Sequence, residues 1–204
     1  MKPKRGTPGP LSSEQFFNIL RRRNRQNADE IDRRIESRSL EELTLLMADS
    51  SGFTRKTHEH GILQFLAVMT QCYDRLLPII ARRGGVVLSH NADNIAAVFE
   101  APKQAVRAAI EMQRRLRRRN EGLPEAEQFN ICIGIHHGLL VRLKDNVFGA
   151  PVNVAAKIGE DLAGKDEILV TAEVAKRIRG LLRLEYARST EVGGRSFELH
   201  RVFY

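Results

Sequence analysis

The chain holds 204 residues, with 33 Lys and Arg against 25 Asp and Glu, a formal net charge of +8 and 42% hydrophobic residues. This composition excludes disordered and fibrous classes, and the length suits one sizeable domain with a short appendage. There is no run of 18 apolar residues, and the basic start MKPKRGTPGP is not followed by an apolar stretch, so neither a membrane span nor a secretory signal is expected.

Cys72 and Cys132 lie in apolar stretches and make neither a disulfide framework nor a zinc site, so a reducing cytoplasmic compartment is expected. Much of the charge is local. Residues 1–38 hold ten basic and five acidic side chains, and Arg114, Arg115, Arg117, Arg118 and Arg119 form a second basic cluster. One reading is a phosphate-binding footprint for nucleic acid or anionic lipid; the favoured one is solvated helix faces, with cations favoured near a helix C-terminus. No aromatics interleave, so base stacking is not supported. Contact of the N-terminal arginines with nucleic acid or a membrane surface is not expected.

In chain order, residues 1–11 read as a disordered basic tail. Ser12 or Ser13 is placed to cap a helix running on through Phe16, Leu20, Ile31 and Ile35, so residues 12–39 form a helical segment with a thin apolar stripe. Residues 40–204 form the main domain. Leu43 to Ala48 reads as a buried strand ending in Asp49, and Ser50 to Thr54 as a turn. Helical spacing runs from Ile62 to Arg83, with Pro78 placed to kink its end. Val86–Leu88 and Ile95–Phe99 read as strands around a turn at 91–94. Pro102 opens a helix through Leu116. Phe129 to Ile135 is a strand, which Leu139–Val141 continues or returns. Pro151 to Leu162 reads as a helix, Ile168–Val170 as a strand, and Thr171 as the cap of a short helix. Strands over 183–187 and 197–203 finish the chain. The order predicts an α/β sandwich in which helices cover a mixed, ferredoxin-like sheet.

Two aspartates stand in matching settings. Asp49 ends a buried strand and Asp93 sits in a tight turn between two others. Carboxylates at strand ends are costly unless paired or bound to a cation, and two on neighbouring strands can hold Mg²⁺ with phosphate oxygens completing the shell. Either alone also reads as an ordinary cap or turn residue. Asn153 and Lys157 are four apart and share one helix face, an amide and a cation suited to phosphoryl or nucleotidyl transfer beside metal carboxylates.

The order of these segments resembles the catalytic domain of class III nucleotidyl (adenylate/guanylate) cyclases over residues 40–204. Leu43-Thr-Leu-Leu-Met-Ala-Asp49-Ser-Ser-Gly-Phe-Thr54 is similar to the family's first metal-aspartate segment. Gly84 to Phe99, with Asp93, is similar to its second-aspartate hairpin. Ile133 to Gly138 and Phe148 to Lys157 are similar to its transition-state segment.

The resemblance implies two Mg²⁺ or Mn²⁺ ions per site, held by Asp49, Asp93 and the backbone at Ser50. It implies attack of a ribose 3′-hydroxyl on the α-phosphate, pyrophosphate leaving. Asn153 matches the ribose-orienting asparagine and Lys157 the position of a transition-state arginine. Phe53, Thr54, Ser89, Asn146 and Arg195 fall at nucleotide-binding positions. One chain would give the aspartates and a second copy Asn153 and Lys157, so a homodimer is implied, most simply making 3′,5′-cyclic AMP from ATP. Three departures stand out. Lys157 replaces an arginine, and lysine lacks the planar fork. Ala92 replaces a glycine. Ser89 and Asn146 are neutral where adenine-selective members commonly place a lysine and an aspartate or threonine. His90 and Asp145 are candidate substitutes after a one-residue shift. A cyclase of other base specificity, or a degenerate domain that binds without turnover, is the alternative.

Overall fold

A computed structural model of the chain describes residues 9–90 and 93–204. The basic tail expected over 1–11 therefore falls mostly outside the described residues, and so does Ala92.

The N-terminal segment is two helices rather than one. α1 (Ser13–Leu20) starts at a capping box in which the Ser12 side chain accepts from the Gln15 backbone amide and the Gln15 side chain accepts in return from that of Ser12. α2 spans Ala28–Ser39. Asparagines break the helix between them. Asn24 accepts from the Gln26 amide at 2.9 Å, and the Asn27 amide side chain donates to the Arg22 carbonyl at 2.9 Å. These short side chains offer the backbone an alternative to helical pairing.

The main sheet follows from apolar strands interrupted by helices. Its strands are β1 (Leu40–Ser50), β2 (Val86–Ser89), β3 (Asn94–Phe99), β4 (Ile131–Arg142), β5 (Val147–Phe148), β6 (Ile168–Thr171), β7 (Leu184–Val192) and β8 (Arg195–Val202), in the order β2-β3-β1-β4-β6-β8-β7 with β5 on β4. β1 is antiparallel to both β3 and β4, while β4 and β6 are parallel. The first four positions are the ferredoxin-like core, and β6, β8 and β7 extend it. β4 is one continuous strand through Val141.

Side chains of β1 alternate between two faces. Leu46 and Ala48 join the core under α4 (Ile62–Arg82) and α5 (Pro102–Asn120), with Leu76, Ile80, Met112 and Leu116. Leu45 and Met47 face the other way, toward Ala155 of α6 (Ala150–Ala156).

Helix α4 contains Pro78 and ends at Arg82, next to the expected Arg83. Three local expectations are corrected. Residues 53–60 form a helix, α3, opened by Gly52 in the left-handed region at φ 81°. The helix after Pro151 is α-helical only to Ala156 and continues as a π-turn over Lys157–Leu162. Thr171 precedes α7 (Ala172–Arg177) without a side-chain cap bond, because its hydroxyl pairs with buried His136 at 2.9 Å.

The π-turn lies against the sheet backbone. A Cβ on Gly159 would stand 2.6 Å from the Met47 carbonyl oxygen, and one on Gly134 equally close to the Ala155 carbonyl oxygen. Only glycine permits this approach.

Candidate active site

The ends of β1 and β3 bring the aspartates together. Asp49 pairs in register with Asn94, the residue after Asp93. Ser50 ties the turn down: its amide donates to the Asp93 carbonyl at 3.0 Å, and its hydroxyl to Asp93 Oδ2 at 3.3 Å. The Asp49 carboxyl is pushed up to about 7, first by burial and then by the charges of Asp93, Glu160 and Asp161, against a lowering hydrogen bond from the Ser50 backbone. Among the described residues neither aspartate has an ion-pair partner. Glu160 is raised as well, by burial and by Asp161 and Asp93. The fold thus concentrates carboxylates whose mutual repulsion a divalent cation would offset.

The donor set fits such a cation. Two hard carboxylates on adjacent strand ends match the way Mg²⁺ is held, by one or two carboxylates together with substrate phosphates. Among the described residues no group of three or more His, Cys, Asp or Glu forms a closed all-protein metal cage.

The other predicted residues are distributed around this centre. Asn153 and Lys157 are exposed on α6 and at its C-terminal cap. Lys157 Nζ donates to Asp161 Oδ2 at 2.7 Å. Phe53 opens α3 and packs edge-on to Phe65 at 4.9 Å between centroids, while Thr54 is exposed. Ser89 is half-buried at the end of β2, opposite Ala96 and beside a register shift. Asn146 lies in the β4–β5 turn, where its Oδ1 accepts from the Val147 amide and its carbonyl from that of Leu143, both at 2.8 Å. Arg195 is exposed where the β7–β8 hairpin turns. Three strand positions separate β8 from β1, about 14 Å at the usual spacing. One chain therefore does not bring Arg195 beside Asp49.

Of the two candidate substitutes, Asp145 is engaged with the N-terminal segment. Asp145 accepts from the Ser13 amide and hydroxyl, both at 2.9 Å, which also holds its carboxyl below the ordinary range. His90 lies edge-on to Tyr73, 6.5 Å between centroids.

Two features escaped the sequence reading. Glu160 and Asp161 join the electrostatics of Asp49 because the π-turn folds back on β1; only the four-residue spacing of Lys157 and Asp161 signalled part of this. The Ser13–Asp145 clamp spans 132 positions and left no local signal.

The model of the adenylate and guanylate cyclase catalytic domain family matches residues 35–202. The serine/threonine-protein kinase pkn2 of Myxococcus xanthus is 31% identical over 137 residues, covering 65% of this chain and 16% of that protein. Adenylate cyclase 1 of Rhizobium meliloti (strain 1021) is 24% identical over 180 residues, covering 78% of this chain and 27% of its own length. The chain thus spans less than half the length of these curated relatives. The crystal structure of an adenylate/guanylate cyclase/hydrolase from Silicibacter pomeroyi superposes with a TM-score of 0.69 at 27% identity, over 80% of this chain and 96% of that one. No helix among the described residues is long and apolar enough to cross a membrane. Fold and family match agree, and the chain belongs to the adenylate and guanylate cyclase catalytic domain family.

Proposed function

We propose that the chain is a nucleotidyl cyclase, converting ATP to 3′,5′-cyclic AMP and pyrophosphate at sites shared between two copies. The observation that carries this reading is the Asp49–Asp93 pair, held at adjacent strand ends with the Asp49 carboxyl near 7. Such a site gains most from a divalent cation and a polyphosphate together.

Asp49 and Asp93 would hold the ions, Mg²⁺ or Mn²⁺, with the Ser50 backbone alongside. Bound there, the cations supply neutralisation of the triphosphate and a lowered pKa for the ribose 3′-hydroxyl. This chain's own contribution is positional. The Ser50 bonds to Asp93 fix the turn, so the carboxylates stand ready before substrate arrives. Asn153, exposed on α6, is free to orient the ribose of a nucleotide held by a second copy. Lys157 supplies positive charge to the α-phosphate as the 3′-oxygen attacks and pyrophosphate departs. Reaching it requires leaving Asp161. Phe53 and Thr54 stand at the start of α3, just past the aspartate strand, at the triphosphate end. Ser89 and Asn146 face the base, and their neutrality leaves GTP or a pyrimidine nucleotide as alternative substrates. Arg195 of the second copy is assigned to the triphosphate. The free, buried Cys72 and Cys132 support a reducing, cytoplasmic setting.

A second reading is a domain that binds nucleotide without turnover. The Lys157–Asp161 pair favours it, because it engages the basic side chain that stands at the transition-state position. One experiment separates the two. The chain is incubated with Mg²⁺ or Mn²⁺ and each of the four nucleoside triphosphates, and the cyclic monophosphate is measured. Product from ATP supports the first reading; product from another triphosphate alone corrects the base. Nucleotide binding with no product supports the second.

A further inference from the structure

α5 closes the sheet face opposite α6, with Ala105, Ala109, Met112 and Leu116 on its inner side. Every residue it exposes is a cation: Lys103, Arg107, Arg114, Arg115, Arg117 and Arg118. Its one acid, Glu111, has both carboxylate oxygens taken by Arg82 and Arg83 of α4 and its cap. Among the described residues Arg107, Arg114 and Arg118 form no ion pair. They wall a shallow cleft of about 360 Å³ with Ile110 and Leu182 among its lining.

A solvated helix with a favourable dipole accounts for the arginines of the last turn. It does not account for Lys103, in the first turn, where the dipole disfavours cations, or for Arg107, which lies beyond the last turn that the dipole favours. A one-signed face along 19 residues, about 28 Å of helix, is complementary in charge to an extended anionic surface.

We propose that this face docks on an anionic lipid surface. Leu181, half exposed beside Leu182 at the cleft, gives the arginine face an apolar edge that the headgroup region can receive. A nucleic acid finds no stacking platform here: Arg117 covers the Tyr204 ring at 5.2 Å and Arg183 the Phe203 ring at 4.8 Å. Docking through α5 leaves α6 and the aspartate turn facing away from the bilayer, open to substrate and to a second copy. The inference does not depend on the cyclase reading.

The test is co-sedimentation of the full chain with vesicles of phosphatidylcholine, with and without phosphatidylglycerol, at low and high salt. Binding is expected only with the anionic lipid, and high salt should release it. Each basic residue near an anionic surface contributes roughly fivefold to partitioning, so the R107Q/R114Q/R118Q variant should bind on the order of 100-fold more weakly. R21Q/R22Q/R25Q, in the N-terminal segment, should bind as the native chain does. Circular dichroism checks folding, and if the triple variant misfolds, R107Q and R114Q alone should each weaken binding roughly fivefold. Failure to bind anionic vesicles at low salt would overturn the proposal. So would undiminished binding by the folded variants, or binding of single-stranded RNA in preference to vesicles.

Discussion

The two halves of the candidate site are held in different ways. The aspartate half is built into the sheet: β1 and β3 fix Asp49 and Asp93, Ser50 bonds to the turn, and burial with like charges raises the Asp49 carboxyl to about 7. The amide–cation half stands on α6 and the π-turn, where Asn153 and Lys157 are exposed and Lys157 is matched by its own neighbour Asp161. The first half stores electrostatic tension that a cation relieves. The second spends its charge locally, in the Lys157–Asp161 ion pair, which the proposed role of Lys157 would require it to give up. On the proposed reading, metal affinity would rest on the fold itself, while rate would depend on a side-chain rearrangement.

Breaking the aspartate half should have the largest effect. Asp93→Ala or Asp49→Ala should lower metal-dependent turnover by at least about 1,000-fold while the circular dichroism spectrum is kept, since loss of a half-buried, like-charge carboxylate does not strain the apo fold. Full cyclase activity in Asp93→Ala would remove the metal role.

Next comes the separation of the halves between chains. Mixing inactive Asp93→Ala with inactive Asn153→Ala should restore up to roughly a quarter of native activity, because half of randomly paired dimers are mixed and each has one intact site. Dimers that exchange subunits and stay inactive would place both halves in one chain.

The Lys157–Asp161 pair offers a smaller change. On the proposed role, in which the contact is made only in the transition state, Lys157→Ala should lower kcat by roughly 10- to 100-fold with little change in KM. Asp161→Asn should raise kcat by freeing the lysine, and Lys157→Arg should raise it where the fork finds two oxygens. A kcat unmoved by Lys157→Ala would return the residue to the solvated surface.

The smallest effect concerns pH. The folded chain keeps the Asp49 proton up to about pH 7, whereas the unfolded chain releases it near 4. The folded state therefore binds more protons in this window, and metal-free stability falls as pH rises from about 4 to about 7. Partial exposure of Asp49 reduces the effect to about 1–2 kcal/mol. In chelator, Asp49→Asn should exceed the native chain by that amount at pH 8 and match it near pH 4, as measured by urea unfolding. Mg²⁺ should close part of the gap at pH 8 for the native chain alone.

Most of the sheet was legible because its strands are apolar runs bounded by turn residues. Val86–Leu88 and Ile95–Phe99 flank a turn short enough to announce their hairpin, whereas the pairing of Leu43–Ala48 with Ile95–Phe99 is non-local and had no sequence signal. What was hidden depends on contacts distant in sequence or on competition for backbone groups. Asn24 and Asn27 broke a helix that the apolar stripe alone would continue. α3, made of Phe53-Thr-Arg-Lys-Thr-His-Glu-His60, has too few apolar residues to show a period. Asp49 and Asp93 were found from their strand ends, yet Glu160 was not, since its place beside them is set by the π-turn. Asp145 read as a candidate base contact because nothing local announces Ser13 as its partner.

The meeting of Gly134 and Gly159 sets a clearance. Two backbones touch with no side chain between them, so the height of the π-turn above β1 is fixed by main-chain thickness and has no adjustable spacer. Lys157, Glu160 and Asp161 ride on that turn as one body. A single methyl at either glycine would act as a shim, lifting all three together. Where about 1 Å of misplacement costs about 100-fold in rate, the tolerance of the site is decided at a junction that contributes no reacting atom.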